Sequence, residues 1–248
     1  MASETIGRGK KMIDAYYQCF KQRRALDYTL QQFRKFYPPE SSKIVMVNDG
    51  GEDFVEESEK YGCEYFYEEN ATKNSNLVFS QEEHLLKYVS RMRRHCHKFS
   101  NEYFILLEDD VLLMKNIDTG SLSHDINGCN KNEYLDPLVS KEIREHNEKL
   151  KDCYNIWYGA CGGSVFRTKF VVELLDDMKN LENEVNKYCS LAEKQKWASD
   201  CFLSYLCLKS GGTIGQYSGF CETWYPDYEK RVRMGNIEVL HQYKELYI

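Results

Sequence analysis

The chain has 248 residues, 42% of them hydrophobic and 29% charged, the balance of a globular protein long enough for one large α/β domain or two small ones. Its formal net charge of -6 supplies no basic field for nucleic acid or an anionic membrane, so any affinity for phosphate has to be local. No apolar run approaches the roughly 20 residues that span a bilayer, and the start Met1-Ala2-Ser3-Glu4-Thr5 lacks the apolar core of a signal peptide. A cytoplasmic location is therefore expected, for a whole protein or for a domain of a longer one.

In chain order, Lys11 to Phe20 reads as a first strand. From Gln22 to Tyr37 the apolar positions Ala25, Leu26, Leu30, Phe33 and Phe36 recur at helical spacing, and Pro38-Pro39 stops the helix. Ile44 to Val47 is a second, buried strand that runs into Asp49-Gly50-Gly51. Strand, helix and strand within about 40 residues make a βαβ unit with a parallel, right-handed crossover. A short helix near Asp53 to Tyr61, a third strand near Glu64 to Tyr67, a polar loop from Glu68 to Asn76 and a helix from Gln81 to Phe99 follow. The loop contains the formal glycosylation sequon Asn70-Ala71-Thr72. Arg91-Met92-Arg93-Arg94 reads as a solvated helix face.

Tyr103 to Leu107 is an unbroken apolar run, the mark of a strand covered on both faces, and it runs directly into Glu108-Asp109-Asp110. Three adjacent acids at the carboxyl edge of a buried strand sit where open α/β sheets bind ligands. Hard oxygen donors there suit Mn²⁺ or Mg²⁺ shared with phosphate oxygens; the alternative is an ordinary strand end with solvated acids. Residues 119–155 are polar, with one helix near Leu138 to Lys151, and read as an insertion between a first half, 1–118, and a second half, 156–248. Trp157 to Phe166 restores an apolar segment, with Gly159, Gly162 and Gly163 allowing close backbone contact. A long helix over Lys169 to Leu191, another over Ser199 to Lys209 capped by Gly211-Gly212, and an apolar tail from Ile237 to Lys244 complete the pattern. The ten cysteines include no CxxC pair and read as small packed hydrophobes. His95-Cys96-His97 cannot converge on one zinc, because neighbouring side chains diverge.

With these motifs placed, the sequence resembles the GT-A class of nucleotide-sugar glycosyltransferases over nearly its whole length. Glu108-Asp109-Asp110 is similar to the EDD form of that class's DxD motif, Asp49-Gly50-Gly51 to its acidic turn, the Trp157–Phe166 segment to its glycine-rich strand, and His241 and Lys244 to its C-terminal His and Lys. The resemblance implies one α/β GT-A domain, a Rossmann-like, mostly parallel central sheet flanked by helices. It implies a Mn²⁺- or Mg²⁺-dependent transfer from a nucleotide sugar, UDP-linked, to a glycan or glycoprotein hydroxyl. By the same resemblance Asp110 and His241 hold the metal, and Glu108 or Asp109 contacts the ribose or reaches the ion through water. Lys244 touches phosphate, Asp49 with Gly50 meets the nucleoside, and Gly162 with Gly163 lines the sugar site. Asp200, at the start of the Ser199 helix, is the candidate base of an inverting reaction or a helix cap. Tyr16 and Gln18 are open to contacting a base or to packing in the core, and Trp157 and Trp224 to stacking on sugar or to packing. His241 is open to metal ligation or to an interior hydrogen bond. Two other functions share such a half: a sugar-phosphate nucleotidyltransferase and a catalytically silent carbohydrate-binding relative. Against the first, Cys19-Phe20-Lys21-Gln22-Arg23-Arg24 stands where a glycine-rich phosphate loop belongs.

Overall fold

The computed structural model describes residues 12–68, 80–128, 134–177 and 181–243. Strands β1 (Ile13–Cys19), β2 (Ile44–Asn48), β3 (Glu64–Tyr67) and β4 (Tyr103–Leu107) pair in parallel in the order β3-β2-β1-β4. Helices α1 (Arg23–Phe36), α2 (Val55–Lys60) and α3 (Gln81–Cys96) connect them. Helix α3 begins on a capping box in which Ser80 and Glu83 satisfy each other's backbone N–H groups. β5 (Leu112–Leu113) and β6 (Ile126–Gly128) follow, and the central sheet continues with β7 (Val165–Arg167) antiparallel to β4, β6 antiparallel to β7, and β8 (Ile214–Gln216) parallel to β6. Helices α4 (Pro137–His146), α5 (Thr168–Asp177), α6 (Leu181–Leu191) and α7 (Ser199–Lys209) belong to this second half. A small second sheet sets β10 (Val239–His241) between β5 and β9 (Phe220–Glu222), with α8 (Tyr228–Arg233) in the connection from β9 to β10.

Strand alternation sorts the core into two layers. Tyr16, Val45, Val47, Phe104 and Leu106 pack with α3 and α7 on one face. Ala15, Tyr17, Met46, Ile105 and Leu107 pack with α1 on the other. The second sheet stands at the carboxyl end of β4, because β5 leaves the acidic turn directly and takes β10 as its antiparallel partner.

The first half follows its apolar periods closely. Two features depart from the sequence pattern. Within residues 119–155, read as a polar insertion, Ile126–Gly128 forms β6 in the central sheet, hydrogen-bonded to β7 and β8. Within the span Lys169 to Leu191 the described residues are helical over Thr168–Asp177 (α5) and Leu181–Leu191 (α6). The other feature is Arg91, in the first half, expected on a solvated face but 1% exposed. On α3 it shares the inner side with Tyr88, Met92 and His95, the spacing of one helix face, whereas Arg93 and Arg94 turn outward. Its guanidinium lies 2.5 Å from Asp49 and 3.1 Å from Glu68.

Candidate active site

Glu108, Asp109 and Asp110 leave β4 in a tight turn, closed by the Val111 N–H donating to the Glu108 carbonyl (3.1 Å). The turn divides their side chains. Asp109 points inward, 3% exposed, and accepts the Tyr17 hydroxyl at 3.1 Å. Glu108 and Asp110 stay partly open, and β10 brings His241 to them. One ligand atom from each of Glu108, Asp110 and His241 lies within 4.8 Å of the others, and His241 Nε2 is 3.7 Å from Asp110 Oδ1. The Tyr243 N–H donates to the Asp110 carbonyl (3.1 Å) and locks the two loops together. Gln242 between them holds φ 58°, a left-handed conformation rare for a residue with a Cβ.

His241 is 6% exposed, and its Nδ1 is 3.0 Å from the buried Glu222 carboxylate. Burial alone would lower the imidazole pKa, but hydrogen bonding and charge from Cys161 and Glu222 outweigh it and raise the value well above the usual histidine range. Glu222 thereby fixes Nδ1 as the donor and aims Nε2 at Asp110.

The glycine segment packs onto this pair. A Cβ built on Gly162 would stand 2.9 Å from His241 Nε2 and 3.0 Å from Glu108 Oε2, and Gly163 holds φ +82°. For a divalent ion held by Glu108, Asp110 and His241, Gly162→Ala would weaken binding by about tenfold or more with little change in melting temperature; calorimetric Mn²⁺ titration beside thermal unfolding checks it. The segment is tied in turn to α7, where Ser204 Oγ accepts the Gly159 N–H at 3.1 Å and donates to the Asp200 carbonyl at 2.8 Å. Asp200 sits in the first turn of α7, with Ala198 as the N-cap, and its Oδ1 accepts the Cys201 N–H at 2.9 Å. Buried Tyr88 on α3 feels both carboxylates: burial raises its phenol pKa first, and Glu108 and Asp200 raise it further. Asp200 and Glu108 thus both lie within electrostatic range of Tyr88.

Over 92% of its length the chain superposes on the galactosyltransferase LgtC in complex with donor and acceptor sugar analogues, at TM-score 0.51 and 10% identity, covering 86% of that chain. An active-site mutant of LgtC gives TM-score 0.51 at 11% identity over the same shares of the two chains. The bifunctional glycosyltransferase WbbM matches at TM-score 0.50 and 9% identity, over 94% of this chain and 46% of that one. The fold is the GT-A fold. No family model matches the sequence, and no curated protein matches it.

Within the GT-A frame the remaining expected residues separate into floor and rim. Asp49 does not lie open to a nucleoside: its side chain is fully buried against Arg91, while Gly50 turns the chain at φ 75°. Tyr16, 1% exposed, is enclosed in the core beside Arg91 and so offers no free face to a base, and Gln18 is buried as well. Asp109 is likewise turned away from any ribose, toward Tyr17. The physical reason is burial on both faces of β1 and β2: Tyr16 and Asp49 face α3, where Arg91 stands, while Tyr17, which holds Asp109, faces the α1 side. Trp157 packs on Tyr134, ring centroids 4.1 Å apart, and Trp224 stands 44% exposed beside Tyr225 just past β9. Lys244 and the Asn70-Ala71-Thr72 sequon lie outside the described residues. Arg91, Cys161 and Glu222 escaped the sequence reading. Only Arg91 carried a signal there, the apolar spacing of Tyr88, Met92 and His95 around it.

Proposed function

We propose that the chain is a metal-dependent glycosyltransferase that moves a sugar from a nucleoside-diphosphate sugar, UDP-linked, to a hydroxyl of a glycan or glycoprotein, with inversion. One observation carries the reading: Glu108, Asp110 and His241 converge within 4.8 Å at the carboxyl end of a buried strand in a GT-A fold. Two carboxylates and an imidazole fit Mn²⁺ or Mg²⁺. When bound, the ion supplies Lewis-acid neutralisation of the departing diphosphate. Glu222 holds the His241 Nδ1–H and Gly162 leaves the approach to Nε2 clear, so that Nε2 would ligate once its own proton has left to solvent. Asp200 accepts the proton of the acceptor hydroxyl, positioned by α7 and by the glycine segment bonded to it. LgtC, of the same fold, was solved with both a donor and an acceptor sugar analogue, which supports a pair of sugar ligands here.

Calorimetric titration of UDP is expected to show binding that requires Mn²⁺; equal affinity without metal would overturn the proposal. Asp200→Asn should keep that binding and lose transfer by about 10²- to 10⁴-fold, the usual worth of a general base. A variant with full activity would remove Asp200 from that role.

A further inference from the structure

A second group of ligand atoms shares His241. Those of Cys161, Glu222 and His241 also lie within 4.8 Å of one another. Glu222 is 4% exposed; Oε1 is engaged with His241 Nδ1 at 3.0 Å, and Oε2 has no hydrogen-bond partner among the described residues. An ionised oxygen buried without a donor is costly, and a cation is the ordinary remedy. Cys161 stands at the head of the glycine turn, its Sγ 3.6 Å from Ser164 Oγ.

We propose that Cys161, Glu222 and His241 form a second, inner metal site for a borderline or soft ion such as Zn²⁺, and that filling it withdraws His241 from the donor site. Thiolate, imidazole and carboxylate together are a zinc donor set, unlike the oxygen-rich set on the other side of the same ring. A neutral imidazole has one lone pair. With Nδ1–H donated to Glu222 that pair lies on Nε2, facing Asp110. With an ion between Cys161 and Glu222 it lies on Nδ1, and the proton moves to Nε2 and confronts Asp110 as an N–H donor. The Cys161 proton leaves to solvent as the thiolate binds. The two sites exclude each other through the tautomer of one ring. The inhibitory half of this proposal rests on the glycosyltransferase reading; the site itself does not.

Co²⁺ is the probe, because thiolate ligation gives a charge-transfer band in the near ultraviolet that needs no activity to observe. The full chain is expected to show this band at one ion per chain, displaced by Zn²⁺, kept in Asp110→Ala and lost in Cys161→Ser. Glu222→Gln, the second variant, should weaken Co²⁺ affinity by about tenfold or more. Absence of the band in the unsubstituted chain, or its survival in Cys161→Ser, overturns the site. In UDP titrations with Mn²⁺, added Zn²⁺ should lower UDP affinity in the unsubstituted chain and not in Cys161→Ser; equal loss in both overturns the exclusion. If UDP binding ignores Mn²⁺, the glycosyltransferase reading fails, while the cobalt band still decides the site.

Discussion

Asp110→Ala is expected to abolish Mn²⁺-dependent UDP binding, sugar transfer and donor hydrolysis together, while thermal unfolding stays where it was. The side chain is 21% exposed on a turn held by backbone bonds, Val111 N–H to the Glu108 carbonyl and Tyr243 N–H to the Asp110 carbonyl, and both survive truncation. What goes is one of the two carboxylates of the acidic turn that stand beside His241. A metal that neutralises a leaving diphosphate contributes several kcal/mol to the transition state, so transfer should fall by about a thousandfold or more. Product formation from UDP-sugars, measured beside the UDP titration and the melting curve, tests all three parts. An active, well-folded variant would leave the acidic turn as a strand end and nothing more.

How much of this was legible beforehand follows the range of the forces involved. The β1-α1-β2 unit and β4 were written in the sequence because each is a continuous apolar run or a helical period closed by a stop, Pro38-Pro39 for α1. Their order put Glu108-Asp109-Asp110 at a sheet edge, and His241 was found through the family resemblance. Three-residue strands were not legible. β6, Ile126–Gly128, has no period to show, and it exists because β7 and β8 offer it partners far away in sequence. The orientation of carboxylates was hidden for the same reason. Asp49 and Asp109 look like ligand-facing acids at strand ends, yet Arg91 and Tyr17, 42 and 92 residues on in the one case and back in the other, turn them inward. Glu222 bears no local mark of its duty, since only the pairing of β9 with β10 sets it against His241.

Arg91→Met should cost the fold about 3–5 kcal/mol, the usual penalty for breaking a buried ion pair by removing one partner. The thioether fills the volume of the stem, so what the variant tests is charge: Asp49, with its side chain 0% exposed, would be left against sulfur where a guanidinium had been. In an Asp49→Asn background the same change should cost less, because the fully buried anion is gone and only the partly exposed Glu68, which keeps Arg94, loses a cation, and the difference between the two costs measures the coupling. Urea unfolding of the four proteins of the cycle gives it; a loss under about 1 kcal/mol in the first variant would mean that Arg91 contributes no more than a surface ion pair does. Acid adds an independent reading of the same cluster. Burial pushes the Glu68 carboxyl up, but His95, Arg94 and Arg91 prevail and hold it down at about 2. A depressed carboxylate lends stability that is complete above its ordinary pKa near 4.5 and fades as pH falls toward about 2. Without Arg91 one of the cations holding that value down is gone, so the acid slope of Arg91→Met should be shallower across this interval than that of the unsubstituted chain. Parallel slopes would assign the depression of Glu68 to His95 and Arg94 alone, and would make the buried guanidinium a partner of Asp49 rather than the hub of the cluster under the sheet edge.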